Sequence, residues 1–382
     1  MRPRKSVLAA IAVFTVVALT LSLLTINGQL SSTFEGVRGM KNPPVEEVAD
    51  APPREPVGTL NPITIDHQLP AVAAANIVSG MHSTPLFIGF TRNFPLLLQT
   101  VTSYVAAGWP ASQIHVFDNS GTMDSNELGL LTPSNPFFCN YTMLTDVYGV
   151  NVDWTPSLLT FAQLQNLYIS TAIKNKWDAF FWSHMDVAIL PDSDAENFES
   201  FYSRVLSCVK EHTASPNWGF LWFRYDWLSY VNVKAMKSLG AWDPLIPYYT
   251  TDCDMNARLR LSGFSTAECT AGHIFDVGAA IANLSDFFFE PKDMDHYREL
   301  KVELDALHDD KHGHPTGRLS WQKGQTGGEG EPFYVDPNGF QRGLDVWINT
   351  GKDVYAEKWG MGPNCGLEGK TLQDMWHWRD RR

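Results

Sequence analysis

Phe180–Leu190 reads FFWSHMDVAIL, an apolar run that stops at Ser183, passes through a His-x-Asp pair and resumes as Val187–Leu190. With Trp177, Asp178 and Ala179 before it, the first half has the continuous hydrophobicity of a strand buried on both faces of a parallel sheet. Ligand sites in open α/β sheets lie beyond the carboxyl ends of such strands. His184 and Asp186 stand at that point. In an extended segment, residues two apart share a face, so an imidazole and a carboxylate, both good metal ligands, would converge. A capping aspartate beside a surface histidine would give the same letters, so the reading depends on the flanking sequence.

Upstream, PLFIGFTR (residues 85–92) reads as another buried strand ending in Thr91 and Arg92, with a helix expected over Leu96–Ala107 and punctuation at Gly108 and Pro110. The stretch from Gln113 repeats the pattern and runs into Asp118, Asn119, Ser120 and Gly121, all turn formers. Strand, helix, strand at this spacing is a βαβ unit. Residues 133–153 read as irregular, and a stripe through Leu158, Phe161, Leu164, Tyr168 and Ala172 predicts a helix leading straight into the central stretch. Downstream come a helix near Ala195–Glu211, the aromatic run Trp218–Trp227 containing Asp226, a short helix at Asn232–Leu239, and a turn around Trp242. Asp252 and Asp254 then open a further helix. Carboxylates suit a helix N-terminus, although capping explains one aspartate better than two. The chain returns to His273–Asp276. Beyond Lys292 it becomes polar, with His308, His312 and His314 among acids and a flexible Lys323–Gly330 loop.

The 382-residue chain carries a formal charge of −13 and 44% hydrophobic residues. That acidity argues against a nucleic-acid backbone as partner. Arg2, Arg4 and Lys5 precede Val7–Ile26, twenty residues without charge, Pro or Gly. This length can span a bilayer. The basic flank places residues 1–6 in the cytoplasm and everything after Ile26 on the lumenal side. An uncleaved signal anchor is favoured over a cleaved signal peptide because the apolar region is long and no clear small-x-small site follows. Residues 27–80, centred on PPVEEVADAPPREP, read as a flexible stem. Residues 81–382 form the globular part, with 292–382 as a C-terminal extension. Sequons at Asn140 and Asn283 agree with the secretory pathway. Five cysteines allow one or two disulfides whose pairing stays open, and Cys253, between two aspartates, is expected to be free.

Over roughly Pro85–Asp276 the sequence resembles the inverting glycosyltransferases of the GT-A fold, most closely family 2. VFDNSGT looks like that family's Val-Asp-Asn-Gly-Ser stretch. His184-Met-Asp186 looks like its Asp-x-Asp motif, with histidine in place of the first aspartate. GAWDPLIPYYTTDCDMNARLRLSGF looks like its Gly-Gly-Phe-Asp to Glu-Asp-x-Asp segment, with Thr251 in place of the glutamate. The resemblance implies an α/β fold, a Rossmann-like mixed sheet with helices on both faces. It also implies sugar transfer from a nucleotide diphosphate sugar to a glycan acceptor on protein or lipid. UDP-sugar is the first choice of donor and GDP-sugar the second. Asp252 falls on the catalytic base. Thr91, Arg92, Asp118, Asn119, His184 and Asp186 fall on the donor side, and Asp226, Trp242 and Asp254 on the acceptor side. His184, Asp186 and His273 would hold Mn²⁺ or another divalent cation, with the tail histidines open as alternatives to His273. Anchor and stem fit a single-pass type II protein of the Golgi membrane. The competing reading is a non-catalytic carbohydrate- or nucleotide-binding protein on a decayed GT-A fold.

Overall fold

Strand β1 (Leu86–Phe90) lies inside a seven-stranded sheet, third from one edge. In this computed structural model the described residues are 69–76, 84–192, 198–313, 325–334, 336–360, 365–367 and 369–376. All belong to the unit His67–Arg382. The expected cytoplasmic tail, the anchor and almost all of the stem, with His314 and part of the Lys323–Gly330 loop, lie outside the described residues. Among the described residues no helix is long and apolar enough to cross a membrane.

The sheet runs β3-β2-β1-β4-β7-β6-β8. Its strands are β2 (Ile114–Asp118), β3 (Asn151–Trp154), β4 (Ala179–Ser183), β6 (Trp218–Trp222), β7 (Leu228–Asn232) and β8 (Ser265–Glu268). β3, β2, β1 and β4 are parallel, and β7 is antiparallel to both β4 and β6. Two smaller strands, β5 (Val187–Leu190) and β9 (His273–Asp276), pair antiparallel apart from the main sheet. The α/β architecture expected from the sequence is therefore present. Three strands were not anticipated: β6 and β7, where the sequence reads as an aromatic run and no element, and β3, an edge strand inside a segment read as irregular whose residues are mostly exposed.

The alternation of side chains along the strands builds a core on each face. Leu86, Ile88, Phe90 and Phe181 enter one apolar layer, whereas Phe87, Phe117, Phe180 and Trp182 enter the other. Helix α1 (Phe94–Ala106) starts where the Asn93 side chain accepts from Leu96 N–H. Helix α2 (Phe161–Lys174) starts with a reciprocal Thr160–Gln163 capping box. Gly89 is required for α2 to lie against β1, because a Cβ there would stand 2.5 Å from Leu164 and 2.7 Å from the Tyr168 hydroxyl. Helix α3 (Phe201–His212), α4 (Val233–Leu239, capped by Asn232) and α5 (Thr251–Leu261) follow.

The polar tail folds into two long helices, α6 (Met294–Gly313) and α7 (Pro337–Trp359). α6 buries Tyr297, Leu300 and Leu304 in the first layer. α7 docks through Tyr355 and Trp359 on Ile246, Cys253 and Ala257. Disulfides join Cys208 to Cys269 and Cys253 to Cys365, and Cys139 is a buried free thiol. Cys253 is thus not free. The first turn of α5 faces the C-terminal segment, which brings the two Cα atoms within 4.9 Å.

Candidate cation site and cleft

Because β1, β2 and β4 are parallel, Phe90, Asp118 and Ser183 end on one edge of the sheet, and the chain emerging from each faces a common cleft. The turn after β4 is pinned from two sides. His184 N–H donates to Trp227 O at 3.1 Å. Thr100 Oγ1 lies 2.7 Å from both the Met185 and Val187 carbonyls. β9 then brings its last residue alongside, with Asp276 opposite Val187 and Val277 N–H donating to the Asp186 carbonyl.

The result is a cluster of His184, Asp186 and Asp276 whose ligand atoms all lie within 4.8 Å of one another, a group that could hold a metal ion. His184 Nδ1 is 3.8 Å from Asp186 Oδ1. On its other side, Nε2 is buried without a hydrogen bond, 3.7 Å from Asp226 Oδ2. Asp226 is delivered by the β6–β7 hairpin, where Arg224 and Tyr225 both adopt φ +56°. Two consecutive non-glycine residues in the left-handed region are costly and persist only where the surroundings enforce them. Burial works against the charged imidazole, but Asp226, Asp186 and Asp276 outweigh it and push His184 up to about 9. The imidazole and carboxylate donors suit a divalent cation such as manganese. A carboxylate behind a ligating histidine is the usual device for orienting the ring. An unsatisfied Nε2 facing Asp226 and a convergent donor trio fit such an ion.

A lysine completes the cluster. Lys311 Nζ, from the last turn of α6, lies 2.7 Å from Asp186 Oδ2 and 2.6 Å from Asp276 Oδ1. Burial lowers its pKa, yet the two carboxylates prevail and the ammonium is held above its ordinary value. His312 Nε2 meets the remaining Asp276 oxygen at 2.8 Å.

The cleft has a volume of about 340 Å³, and Thr91, Arg92, Asn119, His184, Asp186 and Asp226 line it together with Asp252, Asp276 and Lys311. Arg92 is 2% exposed, its guanidinium over the Phe340 ring and 3.3 Å from Gln341 Oε1. Burial brings it down to about 10, so it remains a cation at neutral pH. Asp252 stands in the first turn of α5, where the helix end favours negative charge.

Other expected residues are placed elsewhere. Asp118 is buried with its oxygens committed to Ser120 N–H, the Asn126 amide and the Tyr141 hydroxyl, and it shapes the loop rather than lining the cleft. Asn119 lines the cleft while its amide clamps Leu159. Trp242 is 1% exposed and packs on Phe161, so it belongs to the core and not to an acceptor surface. Asp254 is fully buried, held by Arg258 at 2.8 Å, Lys358 at 2.8 Å and the Trp359 indole at 3.0 Å, which also removes it from an acceptor. His273 pairs with Leu190 at the far end of the β5–β9 ladder. It stands three positions from Asp276 along β9, roughly 10 Å away and on the opposite face. Asp276, not His273, joins His184 and Asp186. The available signal was an aspartate ending a short apolar strand, as Asp118 ends β2. Lys311 gave no such signal.

No family model matches this chain, and no curated protein matches it. Solved structures resemble it in part, three of them as follows. The mannosyltransferase PcManGT from Pyrobaculum calidifontis, in complex with GDP-Man and Mn²⁺, is 8% identical over 51% of this chain and 57% of its own length, with a TM-score of 0.37. GalNAc-T7 with UDP, GalNAc and Mn²⁺ is 10% identical over 72% and 57%, with a TM-score of 0.38. A cytidylyltransferase from Leptospira borgpetersenii is 10% identical over 60% and 98%, with a TM-score of 0.39. The chain thus spans little more than half of the two transferases' lengths.

Proposed function

We propose that this chain is a divalent-cation-dependent, inverting glycosyltransferase of GT-A type, moving a sugar from a nucleotide diphosphate sugar to a hydroxyl of a glycan on protein or lipid. One observation carries the reading: a single cleft beyond the ends of parallel strands holds a cation-ligand trio, a buried arginine and a separate carboxylate, Asp252. His184, Asp186 and Asp276 would hold the cation, Mn²⁺ by preference, whose charge offsets that of a departing diphosphate. Arg92 offers a fixed positive charge to the phosphates. Asp252 accepts the proton of the acceptor hydroxyl as its oxygen bonds to the sugar's anomeric carbon. The bond from that carbon to the diphosphate breaks on the opposite face, and the electron pair leaves with the diphosphate. UDP-sugar is the favoured donor and GDP-sugar the second. A Golgi location, with a signal anchor at residues 7–26, a stem at 27–80 and the catalytic domain in the lumen, belongs to the same proposal. The sequons and the two disulfides support it.

Thermal-shift titration with Mn²⁺ and a panel of nucleoside diphosphates and nucleotide sugars tests this, since a ligand stabilises the fold by RT ln(1 + [L]/Kd). A selective, metal-dependent shift is expected and names the base. Absence of any shift in a folded protein refutes the transferase reading. Asp252→Asn should then cut turnover by at least a hundredfold, the lower range for a general base, while nucleotide binding stays within twofold. Full activity in that variant would remove Asp252 from the base role.

A further inference from the structure

The cation cluster already contains a cation. Lys311 places its ammonium between Asp186 and Asp276, with a side chain only 3% exposed, and takes one oxygen from each carboxylate. His312 takes the other oxygen of Asp276. Both oxygens of Asp276 are therefore engaged, and Asp276 belongs to the only trio among the described residues that could hold an ion. A small octahedral divalent ion needs its oxygen ligands at about 2.1 Å. An ammonium hydrogen-bonded to the same carboxylates competes with such an ion for their oxygens, and two cations that close repel each other in a partly buried site.

The position of Lys311 makes its withdrawal feasible. It lies in the last turn of α6, beyond Leu304, the last apolar residue of that helix to be buried. Gly313, two residues on, has no atom of the described residues within 4 Å of where a Cβ would stand. Rotation about the four-carbon stem moves the ammonium by several ångströms without unpacking the helix. Lys311 lines the same cleft as Arg92. A withdrawn ammonium would therefore face the anionic part of a bound ligand.

We propose that Lys311 is a tethered occupant of the cation site that exchanges with the divalent ion, and that on exchange it becomes a phosphate-binding residue. This rests on the nucleotide-sugar reading above. It explains why a lysine with no sequence motif is buried against two of the three ion ligands. The exchange would also couple the two ligands, since an ion that enters releases a positive charge toward the diphosphate.

The test uses the full-length chain and two separate titrations. Mn²⁺ binding without nucleotide is followed by the electron paramagnetic resonance of the free ion, and UDP and GDP binding at saturating Mn²⁺ by calorimetry. Lys311→Met should bind Mn²⁺ at least tenfold more tightly and, at saturating Mn²⁺, bind the nucleoside diphosphate at least fivefold more weakly. Lys311→Gln, which keeps a hydrogen-bond donor but no charge, should move both constants the same way and guards against misfolding of the first variant. Lys301→Met, on the same helix but paired with Asp305, should move neither by more than twofold. Mn²⁺ affinity unchanged or lower in both Lys311 variants overturns the exchange. Tighter Mn²⁺ with undiminished nucleotide affinity overturns the phosphate contact and with it the proposal. Wild-type chain that binds Mn²⁺ but neither nucleotide refutes the transferase reading itself, a result visible before any variant is made.

Discussion

Arg92 is a buried guanidinium with no carboxylate within 4 Å among the described residues; its neighbours are Gln341 and the Phe340 ring. Buried charges are ordinarily paired, and an unpaired one costs stability. Such a residue in a cleft wall is best explained by an anion that completes it on binding. Arg92→Gln should weaken nucleoside diphosphate binding by about tenfold or more, since a hydrogen bond to a charged group contributes about 1.5–3 kcal/mol. The thermal midpoint of the free protein should hold or rise. Unchanged nucleotide affinity by calorimetry would leave Arg92 a packing residue. Thr91, Arg92, His184 and Asp186 were legible as cleft residues because each follows a strand whose apolar run announces its end. Asp276 was not legible as a partner of Asp186, because their meeting depends on the register of two strands nearly ninety residues apart. Asp254 and Trp242 were misread for the opposite reason: a charge or an indole in a turn looks exposed until the helix that covers it is placed.

For Trp242 that cover includes Phe161 of α2, and for Asp254 it is α7. Lys358 Nζ stands 2.7 Å from Asp243 Oδ2 and 2.8 Å from Asp254 Oδ1, and the neighbouring Trp359 indole donates to Asp254. Removing the ammonium leaves the buried Asp254 with Arg258 as its one cationic partner among the described residues and the Trp359 indole as a neutral donor. Lys358→Met should destabilise by about 3–5 kcal/mol, as breaking a buried pair does, measured by urea unfolding; a loss under 1 kcal/mol would show that α7 contributes little to the core. The same clamp gives a pH dependence. Burial alone would raise the Asp243 carboxyl, but the hydrogen bonds from Lys358 and Leu245 N–H outweigh it and hold the pKa below its ordinary 3.8. A depressed carboxylate contributes stability that is fully present above the unfolded value and is lost as pH falls through the folded one. Acid should therefore loosen this contact only below about pH 4, and Asp243→Asn should flatten that limb of the stability curve. Neither α6 nor α7 was legible as a structural element. Both are polar along most of their length and bury only a few apolar side chains each, so the stripe that betrays an amphipathic helix is thin.

Across the whole molecule, two disulfides tie the late chain to the sheet. Cys208–Cys269 joins α3 to the segment after β8, and Cys253–Cys365 joins the first turn of α5 to the C-terminal residues. Their sequence separations are 61 and 112 residues. In the chain-entropy account, loops of that size correspond to about 4–5 kcal/mol each. The second bond has a further consequence, because Cys253 is adjacent to Asp252. It fixes the helix turn that carries the proposed base to a segment at the far end of the sequence, so the geometry of that carboxylate depends on an oxidising environment. Cys365→Ser should lower the thermal midpoint by several degrees and lower turnover, while Mn²⁺ affinity, set by β4, β9 and α6, stays unchanged. Cys208→Ser should lower the midpoint comparably and leave the turnover of the folded fraction intact. Equal effects of the two substitutions on turnover would show that the Cys253–Cys365 bond stabilises the fold without positioning Asp252.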